Sequence, residues 1–293
     1  MAIQGFNLDE VERFQNEVAK VRCKLQYDIN YRNDIINHGK NYNYIKEYFQ
    51  KIVKFLQYSS EVKIESFYRI RKSETSKPFT SRKELIYPDP NSNHQDRMNN
   101  TKFRVLYVSL NEYTAIAETR INENYINQYF QLTRFSTKKK LQVFKLGRFS
   151  ELYLDTPRDS DYLKKQMKDM FGSENHDRTI QGYSALECAM ADILYDTDKD
   201  YHLLSSILAD AIFTKNPNID AIMYPSMQNR YGINLAIKKE CANLLQIKYS
   251  SLNKLEKAYQ NGFYKYYTKM DCLNFDDEDN FKFNHVEENA IFR

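Results

Sequence analysis

The glycines constrain this chain most: the seven in 293 residues fall at positions 5, 39, 147, 172, 182, 232 and 262, with no two close together. Loops that cradle a phosphate on successive backbone amides need clustered glycines, because only glycine lets the main chain come that near. The spacing excludes both the G-x-G-x-x-G turn of a doubly wound dinucleotide-binding sheet and the P-loop.

The length suits one large domain, or one domain with a small appendage. Hydrophobic residues at 42%, including 24 Tyr and 18 Phe but no Trp, are enough for a packed core. A net charge of +4 is too weak to argue for nucleic acid. Cys23, Cys188, Cys241 and Cys272 form no C-x-x-C pair and the five histidines form no H-E-x-x-H, so no metal is expected. Scattered, buried thiols in a reducing cytosol are the plain expectation. Asp9, Glu10 and Glu12 come too early for a signal peptide, and no run approaches the ~18 apolar residues of a membrane span. Together these predict a soluble cytoplasmic protein.

Val11, Phe14, Val18, Val21 and Leu25 step by three and four behind a capping-box pair, Asn7 and Glu10, which predicts a helix. Ile45, Tyr48, Phe49, Ile52, Val53 and Leu56 repeat the period, so residues 1–60 read as packed helices. From Ile64 onward Phe67 to Arg71 alternates as a strand, and Val105 to Leu110 is a second, β-branched one. Between them Ser73 to Thr101 reads as a long loop. Asn111 is placed to cap a helix running to about Tyr129. Leu141 to Leu146, Asp220 to Tyr224 and Ile233 to Ile237 read as strands. Helical periodicity marks Leu163 to Phe171 with Gly172 as a stop, then Ala185 to Leu194 and Leu203 to Phe213. Leu255 to Gln260, Asn261-Gly262 and Phe263 to Tyr267 form a hairpin signal. This irregular interleaving predicts an α+β fold, divided as a helical cap over 1–60, a core over 61–250 and a hairpin with an acidic tail over 251–293.

Four local features stand out. Arg69 and Arg71 share one strand face, either as ordinary polar residues or as a guanidinium clamp for an anion. Tyr107 to Glu118 runs from strand to helix, and Glu118 follows small and apolar residues; it is either an idle surface carboxylate or one turned inward for use. Ser226 follows Tyr224-Pro225 at the mouth of a strand, where a turn serine is the commoner reading. Asp96-Arg97-Met98-Asn99 is a polar turn or a further cationic contact.

In this order the four resemble the RES domain, a family named for an Arg, a Glu and a Ser. Tyr68-Arg69, Arg97 with Asn99, Leu106-Tyr107 through Ala115-Ile116-Ala117-Glu118, and Tyr224-Pro225-Ser226 with Gly232-Ile233-Asn234 carry the resemblance over about residues 62–240. It implies a split β core like that of ADP-ribosyltransferase toxins, and an NAD-degrading toxin of a toxin–antitoxin system. NAD would then be a substrate, with no cofactor, and an antitoxin would block the cleft. The resemblance makes Glu118, Arg69 and Ser226 catalytic, and Arg97, Tyr107, Arg71 and Asn234 substrate-binding. Water, phosphate and a protein side chain stay open as acceptors of the ribosyl group.

Arg32-Asn33 followed by His38 resembles the R-x(4–6)-H pattern of HEPN ribonucleases, in which His38 would move a proton and Arg32 hold the phosphate. The alternative is a structural cap that packs on the core or a second subunit, which leaves a homodimer open. A Tyr-rich module stacking on single-stranded nucleic acid is a third, non-enzymatic reading.

Overall fold

The computed structural model describes residues 7–55, 59–86, 97–100, 103–147, 161, 176–195, 202–229, 232–260, 262–273, 275, 281–286 and 290–292. Its helices are α1 Leu8–Tyr27, α2 Ile29–Ile36, α3 Lys40–Val53, α4 Arg82–Ile86, α5 Glu112–Glu118, α6 His176–Tyr195, α7 His202–Lys215 and α8 Lys239–Ala242. Its strands are β1 Ser59–Val62, β2 Phe67–Ser73, β3 Val105–Ser109, β4 Tyr129–Ser136, β5 Leu141–Lys145, β6 Ala221–Pro225, β7 Ile233–Lys238, β8 Gln246–Ala258, β9 Tyr264–Cys272, β10 Asn284–His285 and β11 Ala290–Phe292. The fold is α+β with a helical N-terminal segment, as the patterning predicts. Among the described residues no helix is long and apolar enough to cross a membrane.

The chain forms two compact units, each built from discontinuous segments. The helical unit takes Met1–Ser59, Gln95–Phe103 and Phe144–Ile219. Helix α1 starts at the expected capping box: the Asn7 side chain accepts from the Glu10 N–H at 2.9 Å and the Glu10 carboxylate accepts from the Asn7 N–H at 3.1 Å. Val11, Phe14, Val18 and Leu25 bury one face of α1, and Ile45, Phe49 and Ile52 bury one face of α3. Helix α7 is buried almost all round, from Leu203 to Phe213, which its lack of a polar face requires. Across α3 and α7 the Tyr42 hydroxyl donates to Asp210 at 2.6 Å, and Lys46 pairs with the same carboxylate at 2.8 Å.

The sheet unit takes Ser60–His94, Arg104–Val143 and Asp220–Arg293. Its strand order is β1-β5-β6-β7-β3-β2-β4-β8-β9-β10, with β11 also on β9. The β6–β7, β7–β3, β3–β2, β2–β4, β4–β8 and β8–β9 pairings are antiparallel. One junction differs from the rest. Strand β2 pairs with β4 along its whole length but meets β3 only at Tyr68↔Ser109, so the sheet is joined at its middle through one register pair. Phe67, Leu106, Val108, Met223, Leu235 and Ile237 belong to one core, while Ala115 and Ile116 of α5 pack with Ile70, Leu132, Leu255 and Tyr266 in another.

Four expectations change. The chain does not divide at 60 and 250: residues 144–219 join the N-terminal helices, and β8 runs across the expected boundary inside the sheet. The helix after Asn111 ends at Glu118, because Thr119 turns its hydroxyl onto the Ile116 carbonyl at 2.7 Å and Arg120 takes φ +54. Residues expected at that helix's end instead open strand β4. Cys23 and Cys188 are exposed, against the expected burial, while Cys272 is buried. The hairpin joins β8 to β9 with Ala258 opposite Tyr264, so its connection is longer than the Asn-Gly pair alone. The helical signal at Leu163 to Gly172, and Asp96, lie outside the described residues.

Candidate active site

Strand β6 ends at Pro225, which cannot donate to the ladder, and the chain turns through Ser226 to Asn229 before β7 begins. The turn is closed by the main chain: Ser226 N–H donates to the Gly232 carbonyl at 2.7 Å and Gly232 N–H to the Asn229 carbonyl at 2.8 Å. The Gln228 and Asn229 amides both aim at the Ser226 oxygen, at 3.2 and 2.9 Å. With its lone pairs so occupied, the Ser226 hydroxyl is directed outward as a donor, and it donates to Glu118 Oε1 at 2.6 Å.

Glu118 is the last residue of α5, the end where the helix dipole disfavours a negative charge. The fold offsets that cost with three donors on one oxygen. Besides Ser226, Oε1 accepts from the Met227 N–H at 3.2 Å and from Asn234 Nδ2 at 2.7 Å. The Asn234 amide is itself oriented from behind, because the Ser109 hydroxyl donates to its Oδ1 at 2.7 Å, leaving the NH2 group to face the carboxylate. No hydrogen bond reaches Glu118 Oε2 among the described residues, and the side chain is only half-buried. One oxygen is therefore anchored and the other remains available to a ligand.

A second line of polar contacts holds the turn to α5. Asn229 Nδ2 donates to Thr114 Oγ1 at 3.1 Å, and Thr114 is fully buried. Asn111 sets the start of α5 by accepting the Thr114 N–H at 2.8 Å. Gly232 sits against this packing so closely that an added Cβ would lie 2.4 Å from Thr114 Oγ1 and 2.9 Å from the Ser226 Cβ. Only glycine fits there. Ser109, Thr114 and Asn229 were not among the residues singled out in the sequence; each reads locally as a turn or cap residue, and only the fold gives it a partner far along the chain.

The remaining candidates are placed as follows. Arg69 on β2 reaches across the strand junction and donates to the Tyr107 carbonyl at 3.4 Å. That contact lies two residues along β3 from Ser109, or about 7 Å. Arg71 shares the Arg69 face of the strand but rests over the Phe79 ring at 4.7 Å. Arg97 belongs to the helical unit, where its guanidinium donates to the Leu194 carbonyl and its own carbonyl accepts from Ser205. Glu118, Ser226 and Asn234 thus meet directly, Arg69 and Tyr107 meet each other, and Arg71 and Arg97 are engaged elsewhere.

Arg32 lies on α2, and His38 occupies the tight turn before α3 with φ +55 and its ring 4.2 Å from that of Tyr42. The turn is tied by Asp34, whose carboxylate accepts the Asn41 N–H at 2.7 Å. Among the described residues no group of three His, Cys, Asp or Glu side chains is placed to hold a metal ion.

No curated protein matches the chain. Among solved structures it is similar to a chain in the crystal structure of the M. tuberculosis MbcT-MbcA toxin-antitoxin complex, at 13% identity and a TM-score of 0.32, over 70% of this chain and 92% of that one. The family model of the RES domain matches residues 66–252. That span covers well over half of the sequence and carries Arg69, Glu118, Ser226 and Asn234, and the chain belongs to the RES domain family.

Proposed function

We propose that this protein is an NAD-degrading enzyme that cleaves the bond between nicotinamide and ribose, and that it serves as the toxin of a toxin–antitoxin pair in the cytoplasm. The observation that carries the reading is the asymmetry of Glu118: Oε1 is held by three donors while Oε2 takes none among the described residues. A carboxylate fixed in this way is preorganised to face positive charge as it develops. Cleavage of the glycosidic bond develops such a charge. As the bond from ribose C1′ to the ring nitrogen breaks, its electron pair returns to the nicotinamide, neutralising the pyridinium and leaving an oxocarbenium-like ribosyl group. A water or phosphate oxygen then bonds to C1′, and when water attacks, its proton passes to Glu118 or to solvent.

In this reading Ser226 and Asn234 keep the carboxylate in place, and Ser226 can also contact the ribose. Arg69 supplies a guanidinium for the diphosphate, for which its planar donor fork is suited. Tyr107, whose carbonyl accepts from Arg69, would stack on the substrate. An antitoxin would act by covering the opening beside Glu118.

The test is incubation of the purified protein with NAD, with and without phosphate, followed by product identification. ADP-ribose in both conditions gives hydrolysis; a phosphorylated ADP-ribose only when phosphate is present gives phosphorolysis. The Glu118→Gln variant keeps the size and most hydrogen bonds but loses the charge, and its turnover should fall ~10²–10³-fold while NAD still raises its melting temperature. Intact NAD in both conditions would remove the proposal, and labelling of protein by the ribosyl group would replace it with ADP-ribosylation.

A further inference from the structure

Two cations of the sheet unit converge where the fold gives them no counter-ion. Strand alternation puts Arg69 and Arg71 on one face of β2, and Ile70 and Lys72 on the other. Ile70 packs with Ala115 and Ile116 of α5, so Lys72 stands on the helix side of the sheet, opposite the face that carries Arg69. The Lys72 ammonium lies 5.1 Å from the centroid of the Tyr125 ring. Arg120 comes to the same place from the end of α5: burial, and then the Arg120 charge, pull the Lys72 ammonium below its ordinary 10.5. Like charges brought together repel. Among the described residues neither of the two forms an ion pair with a carboxylate.

The backbone adds an independent observation. Arg120 is where α5 stops, with its N–H on the Ala117 carbonyl at 2.8 Å and φ +54. Glycine usually fills such a left-handed position, because any Cβ crowds the following carbonyl. An arginine there strains the chain, and its side chain meets no hydrogen-bond acceptor among the described residues. A cation at a helix C-terminus is favourable in itself, but it would be so anywhere in the last turn, without the strain and without Lys72 beside it.

The guanidinium can take two oxygens of one group in its planar fork, while the ammonium supplies a compact charge. A phosphate carries ~−1.5 to −2 at neutral pH and so matches both cations, where a carboxylate would match one. We propose that Lys72 and Arg120 form a phosphate site at the end of α5, on the face of β2 opposite Arg69. The site does not rest on NAD being the substrate. Inorganic phosphate and the phosphoryl end of a nucleotide share this chemistry, so both serve as probes.

The full-length protein is melted, and titrated by calorimetry, in inorganic phosphate, in ADP and in chloride at matched ionic strength. Phosphate or ADP should raise the melting temperature ~2–4 °C above its value in chloride. Lys72→Gln should weaken that binding ~10-fold or more and leave the melting temperature in chloride unchanged. Arg120→Gly should weaken it as much while melting at or above the parent in chloride, because glycine relieves the left-handed backbone. Loss of binding without loss of stability separates this site from misfolding. A response to inorganic phosphate that both variants lose assigns the free anion; a response to ADP alone that both lose assigns the nucleotide. A parent that melts alike in all three solutions, or a response that the variants retain, would overturn the site even with NAD consumed normally. A response that depends on Lys72 and Arg120 in a protein that leaves NAD intact would keep the site and overturn the enzyme reading instead.

Discussion

At the scale of single residues, the site depends on a hydrogen atom where every other amino acid has a carbon. Gly232 lies between Thr114 and Ser226, and a Cβ there would come within 2.4 Å of one and 2.9 Å of the other. Gly232→Ala must therefore push the 226–229 turn away from α5, at the ~1–3 kcal/mol typical of an overpacked core. We expect a melting temperature lower by several degrees and a loss of NAD turnover larger than the loss of folded protein. A variant with parental stability and activity would show that the turn accommodates the methyl group. Glu118, Ser226 and Asn234 were legible in the sequence because their motif names them. The Ser109 hydroxyl that orients Asn234 was not, since a serine at the end of a strand carries no local sign of a partner 125 residues away.

At the scale of elements, legibility followed burial. Helices α1 and α3 were readable because their polar faces are exposed and their apolar faces buried, which is what the helical period records. Strand β4 was not assigned, and β8 was read only from Leu255 onward. Gln131, Thr133, Ser250, Ser251 and Asn253 are polar yet buried, bonding to each other and to the main chain, as when Gln131 Nε2 donates to Ser250 at 2.8 Å. Residues of that kind read locally as turns. A similar internal bond governs the junction of β7 and α8, where the Cys241 thiol donates to Asp220 at 3.0 Å. Burial, then the Asp220 bond, pushes this thiol from an ordinary 9.0 up to about 12. Because the folded value is raised, its contribution to stability is complete below pH 9 and is lost as pH rises from 9 toward 12. Two measurements check this. At pH 8 iodoacetamide should modify exposed Cys23 well before Cys241, and the stability gap between the parent and Cys241→Ala should shrink above pH 9. Labelling of Cys241 as fast as Cys23 would contradict the assignment.

At the scale of the whole molecule, the two units are woven from alternating segments, so neither is a contiguous stretch that could be cut out. Sequence patterning suggests contiguous domains because it sees only neighbours, and this is why the 144–219 helices were not grouped with the N-terminus. The helical unit has its own lock: Asp210 accepts from Tyr42 at 2.6 Å, pairs with Lys46 at 2.8 Å and accepts from Thr214 at 3.1 Å. Asp210→Ala leaves the buried Tyr42 without its acceptor and should cost ~1–3 kcal/mol. Hydrogen exchange at α3 and α7 amides should accelerate accordingly. Unchanged exchange there would mean that the Tyr42 hydroxyl, which also accepts from Asn100 at 3.1 Å, finds another acceptor for its proton. The long-range strand pairing also sets an order of events during synthesis. Leu132 waits for Ser251, and Glu118 waits for Ser226 and Asn234. At ~5–20 residues per second the hundred-odd residues between such partners take roughly 6–24 s to emerge from the ribosome. For that interval β4 is an open edge and the carboxylate has no anchor, so a nascent chain halted before residue 234 lacks the assembled contact of Glu118 with Ser226 and Asn234.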